Sequence, residues 1–173
     1  MDDALTLATR LTADHGDETF GRFFDANRDR LHAALCLITR DVHEAEEVGQ
    51  DAFVKVLERW DRVRDLEDPD GYLFRTAMNV YRNRVRRAGV ALRRLVKPSP
   101  EPDRIAAVDD RDAVTRALAT LTPRQRAAIV LTDLLEMTSE EAARSLGVRA
   151  STVRVLVARA RATLRETLGD DDA

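Results

Sequence analysis

The 173-residue chain holds one cysteine, two lysines and three histidines, and each shortage excludes something. A lone thiol, Cys36, forbids an intrachain disulfide, and His15, His32 and His43 are too scattered to complete a zinc set with it. No metal and no cofactor are therefore expected. Cys36 itself sits in the apolar run LCLI and reads as a buried, inert thiol. Nowhere does the chain approach the roughly 18 uninterrupted apolar residues of a membrane span. The acidic opening MDDALTLATR also lacks the basic segment of a secretory signal. The expectation is a cytoplasmic protein with no membrane contact of its own. Nucleophile–base sets, phosphate loops and metal-ligand spacings are missing too, which argues against an enzyme.

Hydrophobic residues make up 44% of the chain, enough for one or two small cores and against disorder throughout. Of 28 basic residues all but Lys55 and Lys97 are arginine. Two readings of that skew stand side by side: arginine presents a planar, permanently charged fork to phosphate and base edges, and a GC-rich coding bias produces the same excess. The net charge of −3 hides a strong local pattern. Residues 44 to 70 hold ten acids and four bases, residues 72 to 97 eight bases and no acid, and residues 147 to 165 five arginines and no acid. Two basic faces separated by acidic surface suit nucleic acid held at two places and a basic partner elsewhere. A solvated helical surface would explain any one block taken alone.

Apolar spacing predicts helices throughout, with no alternating β-type run, so the fold class is all-α. A short leading helix is expected over 2–14. From Asp17 as N-cap, Phe20, Phe23, Phe24, Leu31, Ala34, Leu35 and Ile38 predict a long helix ending near Thr39. Asp41, with Glu44 at the capping-box position, opens a second helix whose inner face carries Ala45, Val48, Ala52, Phe53, Val56 and Leu57 and which ends near Trp60. Asp68 and Pro69 open a third, the basic one. The run PSPEPD marks a linker. The division is 1–95, a linker at 96–109 and 110–173: two small helical domains joined by a flexible connection. In the second part, helices are expected over Asp112 to Leu121, from Thr122 and Pro123 to about Leu135, from Thr138 to Gly147, and from Ser151 to Leu168, with capping boxes at Thr122/Gln125 and Thr138/Glu141.

Residues 139–158 follow a helix-turn-helix pattern: small Ala143 at the crossing, Gly147 in the turn, and Ala142, Leu146, Val148, Val153 and Leu156 at buried positions. On a helical wheel Arg154 and Arg161 lie beside the apolar arc and Arg159 further round the exposed side. Arg154 suits a base edge, Arg159 and Arg161 phosphates. Val155 and Ala158 also face outward, to touch a thymine methyl or simply to let the helix approach. In the third helix, YLFRTAMNVYRNRVRR interleaves aromatics that stack on unpaired bases, asparagines that read base edges and arginines that hold phosphates. Tyr72 and Phe74 can equally be core residues, Phe74 above all.

Taken together, the chain resembles a bacterial RNA polymerase sigma factor of the extracytoplasmic-function type, of actinobacterial character, over about residues 18 to 168. EAEEVGQDAFVKVLERW looks like the family's region 2 core-binding helix, DPDGYLFRTAMNVYRNRVRR like its promoter-opening segment, and the stretch from LTPRQRAAIV to ARATLR like region 4. The resemblance implies an initiation factor without an active site of its own, whose partners are the polymerase core, at the β′ clamp and the β flap, and promoter DNA, with an anti-sigma protein as a further candidate. It places Glu46, Glu47, Gln50, Asp51 and Phe53 at the clamp. The loop from Arg62 through Arg64 and Asp65, with Tyr72, Arg75, Asn79, Arg82, Asn83, Arg86 and Arg87, would serve the −10 strand. Arg149, Ser151, Thr152, Arg154, Val155, Ala158, Arg159 and Arg161 would serve the −35 duplex. Gly49 departs from the family by replacing an apolar residue, at a cost of about 1 kcal/mol in helix propensity. Residues 1–16 lie outside the resemblance. The competing reading is a stand-alone helix-turn-helix regulator on a palindromic operator, which leaves the acidic second and basic third helices unexplained.

Overall fold

The computed structural model describes the backbone of residues 2–94 and 109–169 and the side chains of residues 18–87 and 114–168. Among these residues every regular element is helical: α1 (Asp2–Thr39), α2 (Val42–Leu57), the short α3 (Trp60–Val63), α4 (Pro69–Arg94), α5 (Asp109–Ala119), α6 (Pro123–Ile129), a π-helical turn (Val130–Leu134), α7 (Ser139–Leu146) and α8 (Ala150–Gly169). The proposed linker lies almost wholly outside the described residues.

Local chemistry sets most of the helix ends. The Asp41 carboxylate accepts from the Glu44 amide at 3.0 Å, opening α2. Its expected partner does not close a box, because the Glu44 carboxylate instead accepts from Arg84 of α4 at 2.9 Å. At the start of α4 the Asp68 carboxylate accepts from the Gly71 amide at 2.8 Å, and a Cβ on residue 71 would collide with that carboxylate. Thr122 with Gln125 and Thr138 with Glu141 form both reciprocal capping boxes. Gly147 ends α7 at φ 64°, where a side chain would be strained.

Three boundaries differ from the expectation. α1 is continuous from Asp2 to Thr39, so Asp17 caps nothing; Gly16 lowers helix propensity but, unlike proline, does not remove a backbone donor. α2 stops at Leu57, and Trp60 begins a turn of its own. Leu57 is exposed, since it falls about 40° beyond the arc that buries Ala45, Val48, Ala52, Phe53 and Val56. After Ile129 the helix widens, and the Leu135 amide reaches back five residues to the Val130 carbonyl at 3.1 Å.

The N-terminal core is built on the stripe Leu31, Ala34, Leu35 and Ile38 of α1 against α2 and α4. An aromatic knot closes its end: Phe23 lies 4.8 Å from Trp60 and Phe24 4.7 Å from Phe53, centroid to centroid. The Trp60 indole donates to the Thr19 hydroxyl at 3.0 Å. Cys36 is half-buried rather than enclosed, 3.4 Å from the His32 Nε2, and burial pushes its thiol up. The C-terminal helices pack on this bundle, α6 and the π-turn on α1 and α7 on α4, so that one apolar cluster runs through both halves.

Candidate nucleic-acid interface

In the helix-turn-helix, α7 and α8 cross at buried Ala143, with Val153, Val157 and Ala160 on the underside of α8. That underside leaves Ser151, Thr152, Arg154, Val155, Ala158, Arg159 and Arg161 exposed, with Arg149 just before the helix. Two of these arginines are engaged inside the protein. The Arg154 guanidinium donates to Glu140 at 3.2 Å, which ties it to the N-terminal end of α7. Arg161 forms a two-pronged pair with Asp133 of the π-turn, at 3.1 and 2.9 Å. Partial burial alone would raise the Asp133 carboxyl, but hydrogen bonds from Arg161 and Thr132 hold it below the usual range, and Asp133 in turn raises Arg161. Glu141 is likewise held low by the Thr138 hydroxyl and amide. The wide π-turn is what turns Asp133 outward toward Arg161 while Leu131 and Leu135 stay buried.

On α4, helical geometry sorts the basic block into two sides. Taking about 100° per residue, Tyr72, Arg75, Asn79, Arg82, Asn83, Arg86 and Arg87 fall within an arc of about 140°. Buried Leu73, Phe74, Ala77, Met78 and Val80 occupy the opposite arc. Tyr72 accepts a hydrogen bond from Arg59 at 3.2 Å, and its ring lies 5.4 Å beneath the Arg75 guanidinium. Phe74 is core, with Arg30 of α1 5.6 Å from its ring. Asn79 and Arg82 are hydrogen-bonded to each other, and Arg82 also donates to the Leu146 carbonyl at the end of α7. Asn83, Arg86 and Arg87 are exposed. Before α4, Arg62 lies in α3 rather than in a loop, Arg64 and Asp65 follow it in the connection, and all three are exposed; Arg64 lies 3.7 Å from Asp61 and 3.9 Å from Asp65.

Arg84 was absent from the expected site, and the same wheel explains why it behaves differently. It falls on the buried side of α4 and reaches α2, where it meets Glu44 at 2.9 Å, Asp51 at 3.7 Å and Glu47. Those hydrogen bonds, Glu44 first, raise the guanidinium. Of the residues expected to dock on a basic partner, Glu46, Glu47, Gln50 and Asp51 are exposed along α2. Phe53 is not among them on the surface: it is 8% exposed and packs its ring on Phe24 and Phe20, so it supports the acidic face from below.

The molecule thus carries a helix-turn-helix, a second basic helix with aromatics, and an acidic helix, in that spatial relation. The family model for Sigma-70 region 2 matches residues 23–90, and that for Sigma-70, region 4 matches residues 111–164. The ECF RNA polymerase sigma factor SigM of Mycobacterium tuberculosis is 33% identical over 168 residues, spanning 96% of this chain and 85% of the relative. The chain belongs to the extracytoplasmic-function sigma factors of the sigma-70 family. The sigma factor is also 30% identical to the RNA polymerase sigma-E factor of Streptomyces coelicolor over 151 residues, 86% of this chain and 85% of that protein. Its fold is similar to that of the sigma factor RpoE from Bartonella quintana, solved in complex with the anti-sigma factor NepR, at a TM-score of 0.74 and 24% identity, over 88% and 98% of the two chains. CnrH, solved with the cytosolic domain of CnrY, aligns at a TM-score of 0.57 and 28% identity over 95% and 98%.

Placing the family's regions on the structure shows which groups sequence reasoning missed. Arg84, Arg30 and Arg126 all turn inward, toward α2, the π-turn and α1. Arg84 alone had a signal in the sequence, its wheel position among buried residues. Arg30 and Arg126 reach main-chain carbonyls of the other half, Leu135 at 2.8 Å and Ile38 at 3.0 Å, and carbonyl partners leave no trace in composition.

Proposed function

We propose that this sigma factor acts in the cytoplasm by docking on core polymerase and reading a bipartite promoter through its two basic helices. The observation that carries the reading is the segregation of α4 into a polar, arginine-rich arc and a buried arc, beside an independent helix-turn-helix on the same chain. In region 4, Arg154 would meet a base edge in the −35 major groove. Ser151, Thr152, Arg149 and Arg159 would meet the backbone, and Val155 and Ala158 would set the closeness of approach. Arg161 would contribute to phosphate binding by exchanging Asp133 for DNA. In region 2, Tyr72, Asn79, Asn83, Arg86 and Arg87, with the segment from Arg62 to Asp65, would hold the unwound −10 strand.

Melting then draws on differential binding. Stacking on an aromatic is worth about 1–3 kcal/mol per base, and it is available only to the open strand. Glu46, Glu47, Gln50 and Asp51 would face a basic surface of the β′ clamp, with region 4 on the β flap. The chemistry of transcription stays with the polymerase, and the sigma factor contributes no catalytic group. An anti-sigma protein is a natural additional partner, since RpoE of Bartonella quintana was solved bound to one. The working division into 1–95, 96–109 and 110–173 should appear as preferred cleavage within the middle segment under limited proteolysis.

The test is run-off transcription with purified core on a promoter library. The expected result is sigma-dependent initiation at promoters sharing two elements. No stimulation at any promoter, together with tight binding of the lone protein to a two-fold symmetric site, would establish a stand-alone regulator instead.

A further inference from the structure

Arg84 belongs to α4, yet its guanidinium ends among the carboxylates that α2 turns outward. It is shared among three of them, and unequally. Nε donates to Glu44 Oε1 at 2.9 Å and a terminal nitrogen to Glu44 Oε2 at 3.3 Å, so both oxygens of Glu44 are taken. The same terminal nitrogen donates to Glu47 Oε2, and the other lies 3.7 Å from Asp51 Oδ2. Glu47 and Asp51 therefore each give Arg84 one oxygen and keep the second, Oε1 and Oδ1, without a partner among the described residues. Exposure follows the same division: the side chain of Glu44 is 29% exposed, against 59% for Glu47 and 55% for Asp51.

Positions 44, 47 and 51 fall within an arc of about 60° on α2, one above another along the helix. Like charges at such spacings repel, and free carboxylate chains at a surface sample many rotamers. One guanidinium among three carboxylates leaves two negative charges on the strip, so the face stays acidic while its side chains are ordered. Ordering them before association lowers the entropy that binding must otherwise supply. Val54, 54% exposed, lies between Glu47 and Gln50 on the wheel. A partner that covers the acids thus covers an apolar contact with them. Arg84 itself lies about 60° outside the arc of α4 assigned to the −10 strand, so its charge serves α2 and not the DNA.

We infer that Arg84, anchored on both oxygens of Glu44, is a positioning residue for core docking: it holds Glu47 and Asp51 so that each offers its remaining oxygen to the basic surface of the polymerase. The inference rests on the sigma-factor reading and, within it, on the assignment of α2 to the clamp.

Run-off transcription at fixed core yields two quantities for the full chain: the sigma concentration giving half-maximal product, and the product at saturation. Arg84→Gln and Glu44→Gln change the charge of the acidic face in opposite directions, but both remove the clip. Each should raise the half-maximal concentration about tenfold and leave the saturated yield unchanged. Arg84→Lys keeps the charge and loses the fork, and should recover little of that loss. Combined with Asp51→Asn, Arg84→Gln should weaken binding by less than the product of the two single effects, because without the clip Asp51 is already misplaced. Should Arg84→Gln fail to fold, Glu44→Gln, at a partly exposed position, carries the same comparison.

A wild type that never stimulates core would remove the sigma-factor reading and this role with it. A Glu47→Gln, Asp51→Asn double variant active at wild-type concentrations would remove the docking assignment instead. With both of those intact, tighter binding by Arg84→Gln would make Arg84 a competitor of the clamp. Opposite changes in Arg84→Gln and Glu44→Gln would reduce it to net charge, and independent effects in the double variant or a lower saturated yield would reduce it to a strut between two helices. Each of these outcomes would overturn the positioning role.

Discussion

The two arginine-rich helices read almost alike in sequence, each carrying a stretch of bases without acids, yet the structure uses them differently. On α8 two of the outward arginines are tethered by acids from neighbouring elements, Arg154 by Glu140 and Arg161 by Asp133, so they are held at the surface in set positions. On α4 one arginine is withdrawn from the face altogether: Arg84 binds α2 through Glu44, Glu47 and Asp51. A charge run therefore specifies a local excess, while the neighbours decide which cations can meet DNA. Position on the wheel is the discriminator, because 100° per residue puts Arg84 on the core side and Arg82, Arg86 and Arg87 on the other.

The widest gap should appear between Arg84 and Arg87. Arg84→Ala leaves three acids facing a half-buried space and should cost about 1–2 kcal/mol in urea unfolding, whereas Arg87→Ala should stay within about 0.5 kcal/mol. Equal losses would erase the distinction between the two sides of α4. On α8, Arg154→Ala should leave stability alone and relax discrimination at one base pair of the −35 element by about 1–3 kcal/mol, read from selected-site profiles at fixed salt. An unchanged profile would remove Arg154 from base reading.

Gly49→Ala offers a smaller effect of opposite sign. The added Cβ would lie 3.6 Å from a Leu35 methyl, an ordinary contact, so the gain in helix propensity should stabilise the protein by about 1 kcal/mol. The acidic docking face should be untouched, and core affinity with it.

The smallest is a pH effect at the Asp133–Arg161 pair. Because the folded carboxyl titrates below its unfolded value, the pair contributes stability above the ordinary carboxylate range and loses it as pH falls through the folded value. At this exposure the contribution should be about 0.2–1 kcal/mol. Asp133→Asn should flatten that part of the acid limb of an unfolding profile. It should also release Arg161 for phosphate, steepening the salt dependence of promoter binding; identical salt slopes would show that Arg161 never exchanges partners.

Much of this fold was legible from residues near each other in the chain. The Thr122 and Thr138 boxes, the Asp68–Pro69 start and the Gly147 stop each depend on atoms within about four residues, and all are found as read. The site was partly legible for the same reason: the exposed side of α8 follows from its apolar underside. What escaped depends on distant neighbours. Phe53, read as part of the docking face, turns inward because Phe20 and Phe24 of α1 offer it a pocket of rings. Glu44 abandons its capping box because Arg84 lies within reach, and a carboxylate bonds a charged guanidinium more strongly than a backbone amide, while the Asp41 amide donates to the Thr39 hydroxyl instead.

By itself the sequence determined an all-helical chain with most of its helix starts and stops, a helix-turn-helix, and the alternation of acidic and basic blocks, because caps, apolar periodicity and local charge are written in short windows. The tertiary structure alone decided that Arg30, Arg82, Arg84 and Arg126 serve internal contacts, and that the two halves share a core. Those outcomes turn on carbonyls and carboxylates from elements 37 to 105 residues away in the chain. Their presence within hydrogen-bonding range is a property of packing.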